Sequence, residues 1–403
     1  MFQMGYFAVL AACAAISLGA LAYLLLAIWC VSRLPRKTHD SSASVPPTTV
    51  LKPLCGDEPR LREALLSFCQ QDFPAPLQII FGVRSPTDSA LPIARELKAR
   101  HPHLDIEIVI DPRVYGPNFK ASNVINMMRL AKHDVIVVSD SDIIIGPDDL
   151  RKIAVRFATS DASIVSCLYR GAPVDADSGV SQLGALYIDA YYLPAAAVDG
   201  VMFGVTNCYS PLLALRREFV AAGLDNFRAL ANTIGDDAHI ARIARAQGRK
   251  IELAPFLVLT TIPETRLDQL LRHELRWART TRALRPVGFL ASIFTHPLPI
   301  VLLMVLLSPG AATALLFGCI AALRALLLAT VEARLGRAPT ATTPTPWFLM
   351  LREFLYFGVW VWSFANRNIV YRGRKLRIQP GARIHADDFI AAGMPSAEQE
   401  PAA

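Results

Sequence analysis

Residues 135–142 read VIVVSDSD, an apolar run that ends in two acidic residues. The β-branched run 135–138 predicts a strand buried on both faces, which is typical of a parallel sheet. Two carboxylates one residue apart, Asp140 and Asp142, follow the strand at once. Because ligands of parallel α/β sheets bind at the carboxyl ends of the strands, a functional site is expected at these acids.

Short apolar runs alternate with helical patterns around this stretch, from residue 41 to about residue 261. The predicted strands cover 49–52, 77–83, 106–110, 135–139 and 163–168. The predicted helices cover 60–71, 90–100, 121–131, 148–158 and 238–247. Such alternation indicates a βαβ-type parallel sheet with helices on both sides. The sequence has no G-x-G-x-x-G after the first strand and no P-loop, which disfavours a dinucleotide oxidoreductase and a P-loop NTPase.

Composition places part of the chain in lipid. The 403 residues are 53% hydrophobic with a mean hydropathy of +0.35, which is high for a soluble protein. The net charge is +7, but the basic residues cluster beside apolar segments, which indicates membrane topology and not a nucleic-acid partner. The seven cysteines are scattered without metal-type spacing, so free thiols are expected.

The N-terminal segment predicts a transmembrane anchor. Residues 1–32 carry no charge, and the apolar run 5–31 exceeds the ~20 residues that cross a bilayer. A cleaved signal peptide would need a basic start and a shorter apolar core. Arg33, Arg36 and Lys37 follow the run, so the positive-inside rule places the following domain in the cytoplasm.

A second apolar block predicts a C-terminal membrane region. The runs 289–307 and 311–330, separated by 308–310 (SPG), indicate a helical hairpin. A further run, 347–364, contains Arg352 and Glu353, so a span and an interfacial helix remain alternatives for it. The sequence therefore divides into an anchor at 1–32, an α/β domain at 41–285, a membrane region at 286–377 and a polar tail at 378–403.

Several acidic residues are candidates for chemistry. Asp140 and Asp142 have the spacing to serve one Mg²⁺ or Mn²⁺ ion, although a solvated turn or helix cap is the alternative. Asp88 follows the second strand, where it reaches a nucleotide or caps the next helix. Asp236 and Asp237 open a helix; one of them is a candidate general base, or they only cap the helix.

Basic and aromatic residues supply the remaining candidates. Lys120, near the start of a predicted helix, is a candidate phosphate contact. His273, Arg276 and Trp277 lie on a helix just before the second apolar block. They indicate either a basic amphipathic helix at the lipid surface or a set that binds diphosphate and acceptor.

The order of these features resembles that of family-2 type inverting glycosyltransferases. Within that group the chain resembles the ceramide glucosyltransferase family and its bacterial relatives, the hopanoid-biosynthesis-associated glycosyltransferases. Residues 50–59 (VLKPLCGDEP) and 67–74 (SFCQQDFP) are similar to the family's opening stretch. Residues 81–83 (FGV) followed by Asp88, and 116–120 (GPNFK), resemble its first acidic region and its lysine loop.

The resemblance implies a GT-A (Rossmann-like) domain and a role for each candidate. Asp88 and Asp140 would contact a UDP-sugar, and Asp142 would help to hold the metal. Asp237 would be the base. Arg276 and Trp277 would complete a Q/R-x-x-R-W box, in which His273 takes the first position. Direct displacement would then give a β-linked product from an α-linked donor.

The expected function is transfer of glucose or N-acetylglucosamine from a UDP-sugar to a hopanoid polyol or ceramide. The enzyme would be a multi-pass protein of the inner (cytoplasmic) membrane with its catalytic domain in the cytoplasm. A processive polysaccharide synthase is an alternative, disfavoured because a polymer channel needs more spanning helices. A non-catalytic scaffold is the other, disfavoured by the full set of acids.

Overall fold

The computed structural model describes residues 2–34, 44–209, 211–221, 228–338, 340–371 and 374–384. The predictions for Arg36 and Lys37 and for the tail from residue 385 concern residues outside these ranges. The chain forms two compact units that interleave along the sequence. We call them the α/β unit (37–169, 205–261 and 370–403) and the helical unit (1–36, 170–204 and 262–369).

Strands and α-helices are numbered separately, each in chain order. The strands are β1 (Thr48–Pro53), β2 (Leu77–Val83), β3 (Asp105–Ile110), β4 (Val135–Ser139), β5 (Ile143–Ile144), β6 (Ile164–Pro173), β7 (Leu212–Arg216), β8 (Ile251–Ile262), β9 (Asn368–Tyr371), β10 (Arg374–Gln379) and β11 (Arg383–Ile384). The α-helices are α1 (Phe2–Ser32), α2 (Leu61–Cys69), α3 (Leu91–Arg100), α4 (Phe119–Met128), α5 (Asp149–Thr159), α6 (Gly179–Tyr187), α7 (Leu193–Phe203), α8 (Arg217–Ala221), α9 (Asp236–Ala246), α10 (Leu267–Leu284), α11 (Pro286–Ala291), α12 (Pro297–Leu307), α13 (Ala311–Leu335) and α14 (Pro346–Ser363). A π-helix at Ile188–Tyr192 joins α6 to α7.

The main sheet has the strand order β3-β2-β1-β4-β7-β6-β8-β5. Strands β1 to β4 pair in parallel, which confirms the predicted βαβ arrangement in this half. Strand β7 is antiparallel to both β4 and β6, so the whole sheet is mixed and not purely parallel. Strand β7 is not among the predicted strands, and its apolar run at 212–215 carries no signal for strand direction, so the sequence does not reveal the mixed half.

Helices cover both faces of this sheet. Successive residues of β1 point to opposite sides, so Val50 joins one buried cluster and Leu51 the other. The first cluster includes apolar residues of α2, α3 and α5. The second includes residues of α4 and α9. The double-sided burial explains why β4 begins with the continuous apolar run 135–138.

Gly82 allows α4 to approach the sheet closely. Its carbonyl accepts a hydrogen bond of 2.8 Å from Asn123 Nδ2. A Cβ at this position would lie 2.5 Å from Asn123 Oδ1 and would also clash with Met127. The close contact holds the start of α4, and with it Lys120, near the carboxyl ends of β1 and β2.

The helical unit contains two helices long and apolar enough to cross a membrane, Gln3–Ser32 and Ala311–Leu335. A third candidate is the bent pair Pro286–Thr295 and Pro297–Leu307, if the pair counts as one span. These elements agree with the predicted anchor and with the second arm of the predicted hairpin. Helix α14 is not among the candidates in the described part of the chain.

The first arm of the hairpin differs from the prediction of one continuous run. It is broken at His296, and its two pieces meet at 58°. His296 has φ −117° and ψ 54°, outside the helical region. Pro297 explains the break, because a proline lacks the N–H that continues a helix and disfavours helical geometry in the residue before it.

The charged residues of α14 are buried within the helical unit. Arg352 and Glu353 are both 0% exposed. Arg352 makes two hydrogen bonds to Glu274 of α10, at 2.8 and 2.6 Å. Glu353 accepts from Arg324 Nε of α13 at 2.9 Å and from the Tyr191 hydroxyl at 2.5 Å. These pairs give α14 a polar inner face, which explains the charges inside an apolar sequence.

Candidate active site

The acid-bearing turn lies directly after β4. Asp140 donates its backbone N–H to the carbonyl of Pro211 at 2.9 Å, which fixes the start of the turn. Asp142 Oδ2 accepts a hydrogen bond of 2.6 Å from the Thr260 hydroxyl of β8. Withdrawal from water, followed by the negative charge of Asp140, raises the pKa of Asp142 to about 6. The turn therefore concentrates negative charge that a cation would stabilise.

Lys52 of β1 bonds to this turn, and it is not among the candidates predicted from the sequence. Its side chain is fully buried in β1 and packs 4.1 Å from the ring centroid of Phe68. Lys52 Nζ donates to the carbonyl oxygen of Asp140 at 2.5 Å. Burial lowers the pKa of Lys52 to about 7, while Asp142 and Asp140 oppose that shift. The available signal was a lysine in a predicted strand, with two apolar residues directly on each side of it.

Glu58 is a second residue that the analysis missed. It accepts a hydrogen bond from the Ser141 hydroxyl, in the middle of the acidic turn. Its charge also contributes to the raised pKa of Asp142. Nothing in the local sequence distinguishes Glu58 from a surface acid, so only the folded chain reveals it.

Asp88 connects two loops at the same edge of the sheet. Its Oδ1 accepts from the backbone N–H of Gly56, after β1, and from that of Ala90, each at 2.9 Å. Strands β1 and β2 are parallel neighbours, which is why their following loops meet here. Asp88 thus lies at the carboxyl edge of the sheet and bonds to the chain before α3, while its contact with a nucleotide stays a prediction.

Lys120 forms one cluster with two other candidate residues, Asp140 and Asp236. Its Nζ lies 2.5 Å from Asp140 Oδ1 and 3.8 Å from Asp236 Oδ2. Asn118, the N-cap of α4, donates to Asp236 Oδ1 at 2.6 Å. The ammonium of Lys120 thus bridges the turn after β4 and the start of α9. The structure shows Lys120 bound to carboxylates, where the sequence analysis considered phosphate.

The two adjacent acids of α9 have different surroundings. The helix begins after Gly235, whose φ of 83° suits glycine, and no side chain caps it. Burial raises the pKa of Asp236 to about 6, opposed by Lys120 and reinforced by Asp237. Asp237 Oδ1 accepts from the N–H of Ala238 at 2.9 Å. Asp236 is therefore the acid that belongs to the Lys120 cluster.

Strand β11 and the residue before it form backbone hydrogen bonds to the chain just before these acids. The N–H of Ile234 donates to the carbonyl of Ala382, and the N–H of Ile384 donates to that of Asn232, both at 2.9 Å. Thr233 forms an isolated antiparallel bridge with Arg383. Residues near the end of the described chain thus fix the approach to Asp236 and Asp237.

His273, Arg276 and Trp277 lie on α10 in the helical unit. His273 Nδ1 donates to Glu264 Oε1 at 2.5 Å, and its ring lies 4.2 Å from that of Trp277. Burial would raise the pKa of Glu264, but the hydrogen bond from His273 and the nearby charge of Arg276 leave it lowered. The structure thus groups this set around Glu264, which the sequence analysis did not single out.

Parallel strands β1 to β4, with an acid-bearing turn at their carboxyl ends, form the α/β arrangement expected of a GT-A domain. The helical unit adds the candidate membrane spans. The chain belongs to glycosyl transferase family 21, whose sequence model matches residues 12–384. This finding confirms the predicted class of fold and the resemblance to ceramide glucosyltransferase-like enzymes.

Two individual relatives share 25% and 26% sequence identity with this chain over the matched residues. Ceramide glucosyltransferase 1 of Caenorhabditis elegans is 25% identical over 162 residues, covering 40% of this chain and 34% of that protein. An N-acetylglucosaminyltransferase of Rhizobium meliloti is 26% identical over 247 residues, covering 59% and 56%. The matches thus span less than two thirds of either relative. A solved mannosyltransferase from Pyrobaculum calidifontis, in complex with GDP-Man and Mn²⁺, has a TM-score of 0.46 at 17% identity, covering 88% of this chain and 95% of its own.

Proposed function

We propose that this protein is a membrane-bound inverting glycosyltransferase that moves one hexose from a UDP-sugar to a lipid hydroxyl. The observation that carries the proposal is the cluster of Asp140, Lys120 and Asp236 at the carboxyl edge of a parallel sheet. Family membership supports sugar transfer as the reaction class. The two relatives named above support glucose and N-acetylglucosamine as the candidate sugars.

The donor would bind along the edge formed by the loops after β1, β2 and β4. In this proposal Asp88 and Asp140 contact the UDP-sugar, as predicted from the sequence. Lys120 exchanges its carboxylate partners for diphosphate oxygens when the donor binds. Such an exchange is favourable because an ammonium group is a good partner for phosphate, and Lys120 already lies among the residues concerned.

Asp140 and Asp142 fit a divalent cation, Mg²⁺ or Mn²⁺. Burial, followed by the charge of Asp140, raises the pKa of Asp142, and the ammonium of Lys120 already lies 2.5 Å from Asp140 Oδ1, which supports a cation at this turn. In the described chain no three His, Cys, Asp or Glu side chains are grouped to hold a metal. Two carboxylates plus substrate phosphate oxygens are a usual ligand set for Mg²⁺. Such an ion would neutralise the departing diphosphate.

The chain's own residues would carry out the proton transfer. Asp237 accepts the proton of the acceptor hydroxyl as its oxygen attacks the anomeric carbon. The bond from that carbon to the diphosphate breaks, and UDP leaves with the bonding electron pair. Attack opposite the leaving group inverts the anomeric carbon. Asp236, hydrogen-bonded by Asn118 and close to Lys120, is assigned the supporting role.

The helical unit would bind the lipid acceptor. In the proposed topology α1 anchors the chain with the α/β unit in the cytoplasm, at the inner membrane. His273, Arg276 and Trp277 would bind diphosphate and acceptor from α10. A hopanoid polyol and ceramide are the acceptor classes that the sequence resemblance suggests.

Purified protein in liposomes, given UDP-glucose or UDP-N-acetylglucosamine with ceramide or a hopanoid polyol, tests this proposal. We expect mass spectrometry to show a lipid carrying one hexose and NMR to show a β-linkage. An α-linkage would contradict inversion. A ladder of longer sugar chains would instead identify a processive synthase, and no sugar transfer with either donor would contradict the function.

Removal of divalent cations should abolish transfer in the same assay. Loss of the cation leaves the departing diphosphate without charge neutralisation, so we expect a fall of at least about a hundredfold. Adding Mn²⁺ or Mg²⁺ back should restore the rate. Undiminished turnover in excess chelator would show that Asp140 and Asp142 do not act through a metal.

A further inference from the structure

His296 is a buried polar residue that the proposed reaction does not use. Its side chain is 0% exposed, and neither ring nitrogen has a hydrogen-bond partner among the residues that the structure describes. A buried polar group without a partner is unfavourable, and nearly all such groups in folded proteins are paired with protein, water or ligand. The two ring nitrogens of His296 therefore need a hydrogen-bond partner that is not among the described residues.

The position of His296 also indicates a binding site. It lies at the break between α11 and α12, inside the bent pair that forms the third candidate span. Irregular backbone at membrane depth is tolerated where it is buried in protein or lines a cavity. Arg324 Nη2 donates to the carbonyl of Thr295 at 2.6 Å, and this bond secures the chain immediately before His296. The hydrogen bond from Arg324 thus fixes the position of the break within the helical unit.

A row of aromatic side chains connects His296 with the predicted acceptor residues. The ring centroid of Tyr356 lies 4.4 Å from that of His296 and 4.9 Å from that of Tyr187. The ring of Tyr187 lies 5.9 Å from that of Trp277. We call Trp277, Tyr187 and Tyr356 the aromatic row. All three are half-buried, so the row offers partly accessible apolar faces leading to a fully buried imidazole.

A buried ion pair, Arg324 with Glu353, lies in the same part of the helical unit as the aromatic row. The guanidinium of Arg324 lies 4.3 Å from the ring centroid of Tyr191 and is paired with Glu353. Ionisable side chains inside apolar membrane segments are costly and are usually found where a protein handles a polar substrate. Arg324 and Glu353 are paired with each other, whereas both ring nitrogens of His296 have no hydrogen-bond partner among the described residues.

We propose that His296 binds a polar group of the acceptor lipid, a hydroxyl or amide, while the aromatic row packs against the lipid's apolar part. This inference rests on the proposed function, because it takes the bound lipid to be the sugar acceptor. Neutral imidazole both donates and accepts a hydrogen bond, so it matches a lipid hydroxyl, which does the same. His296 is then a specificity residue that selects hydroxyl-bearing lipids.

Kinetics of His296→Phe provide the first test. Phenylalanine keeps an aromatic ring but has no hydrogen-bonding atom, so the acceptor KM should rise about tenfold or more. The KM for the UDP-sugar should stay unchanged. His296→Gln, which keeps a donor and an acceptor, should retain most of the acceptor affinity. His103→Phe, the same change at an exposed histidine of the α/β unit, is the control.

An unchanged acceptor KM in His296→Phe would overturn the inference, and would mean that the imidazole has only a packing or water-binding role. If both His296 variants fail to fold, photolabelling of the wild type decides. Diazirine-bearing ceramide and hopanoid polyol probes in nanodiscs should label peptides from 292–304 or 346–363. The unlabelled alcohol should compete, and its O-methyl ether should not.

The two proposals fail in different ways. Labelling that the alcohol blocks, in a protein that transfers no sugar, would contradict the proposed function and leave this lipid site standing. Sugar transfer to lipid without any labelling of these peptides would overturn the site and leave the function standing.

Discussion

Replacing Asp237 by Asn is expected to lower sugar transfer by about a hundred- to ten-thousandfold, the usual contribution of a general base. The amide cannot accept the proton of the acceptor hydroxyl, whereas it preserves the size of the side chain. Donor affinity, measured by titration with UDP, should change little because Asp237 is assigned to the acceptor side of the reaction. The loss should therefore fall on kcat.

The neighbouring acid provides the discriminating comparison. Asp236→Asn removes a charge close to Lys120, at 3.8 Å, so its main expected effect is on donor binding. Asp161→Asn, at a side chain 79% exposed, is the matched control and should behave like the wild type. Wild-type turnover in Asp237→Asn, with kcat lost in Asp236→Asn instead, would transfer the base assignment to Asp236.

Replacing Arg352 by Met should destabilise the helical unit by about 3–5 kcal/mol. Arg352 and Glu274 are 0% and 4% exposed in their side chains, and the substitution leaves the Glu274 carboxylate buried without its partner. Thermal unfolding in detergent, followed by circular dichroism, should show a lower midpoint. The double variant Arg352→Met with Glu274→Gln should recover much of the loss, because no buried charge then remains unpaired.

An exposed pair in the same unit is the control for this effect. Arg337 and Glu332 also form two short contacts, but their side chains are 35% and 23% exposed. Arg337→Met should therefore cost no more than about 1 kcal/mol. Equal losses for the two arginines would show that burial does not set the strength of the Arg352 pair.

The Arg352 pair also affects the residues of α10 that are proposed to bind diphosphate and acceptor. Glu274 lies next to His273 in the chain, and both Arg276 and Trp277 follow within one turn of α10. Because Arg352 of α14 makes two hydrogen bonds to Glu274, it restrains rotation of α10 about its own axis. A partial loss of the pair should thus raise the acceptor KM before the protein unfolds.

Local sequence predicted most elements of the α/β unit. Strands β2 and β4 have the predicted bounds, β1 is one residue longer at each end, and β3 begins one residue earlier. The seven cysteines, all in described residues, are free thiols as expected. These features follow from residue type and from the spacing of apolar positions, both of which act over a few residues. The proposed division at residues 41, 285 and 377 stays a prediction, because the compact units interleave along the chain.

Other features depend on contacts that no local pattern contains. Lys52 and Asp140 are 88 positions apart, and Glu58 and Ser141 are 83 apart. The role of each follows from the pairing of strands and loops. The break at His296 is an intermediate case, since Pro297 predicts an interruption but gives no angle.

The sequence by itself determined the acidic turn of 135–142, its strand and the family order of the candidate residues. Hydrophobic period and residue type specify these directly. Only the tertiary structure decided which groups surround the turn: Lys52 beneath it, Glu58 beside it and Lys120 across it. The physical reason is that burial and charge pairing depend on the whole fold, and Asp142 acquires its raised pKa only when distant segments exclude water from it.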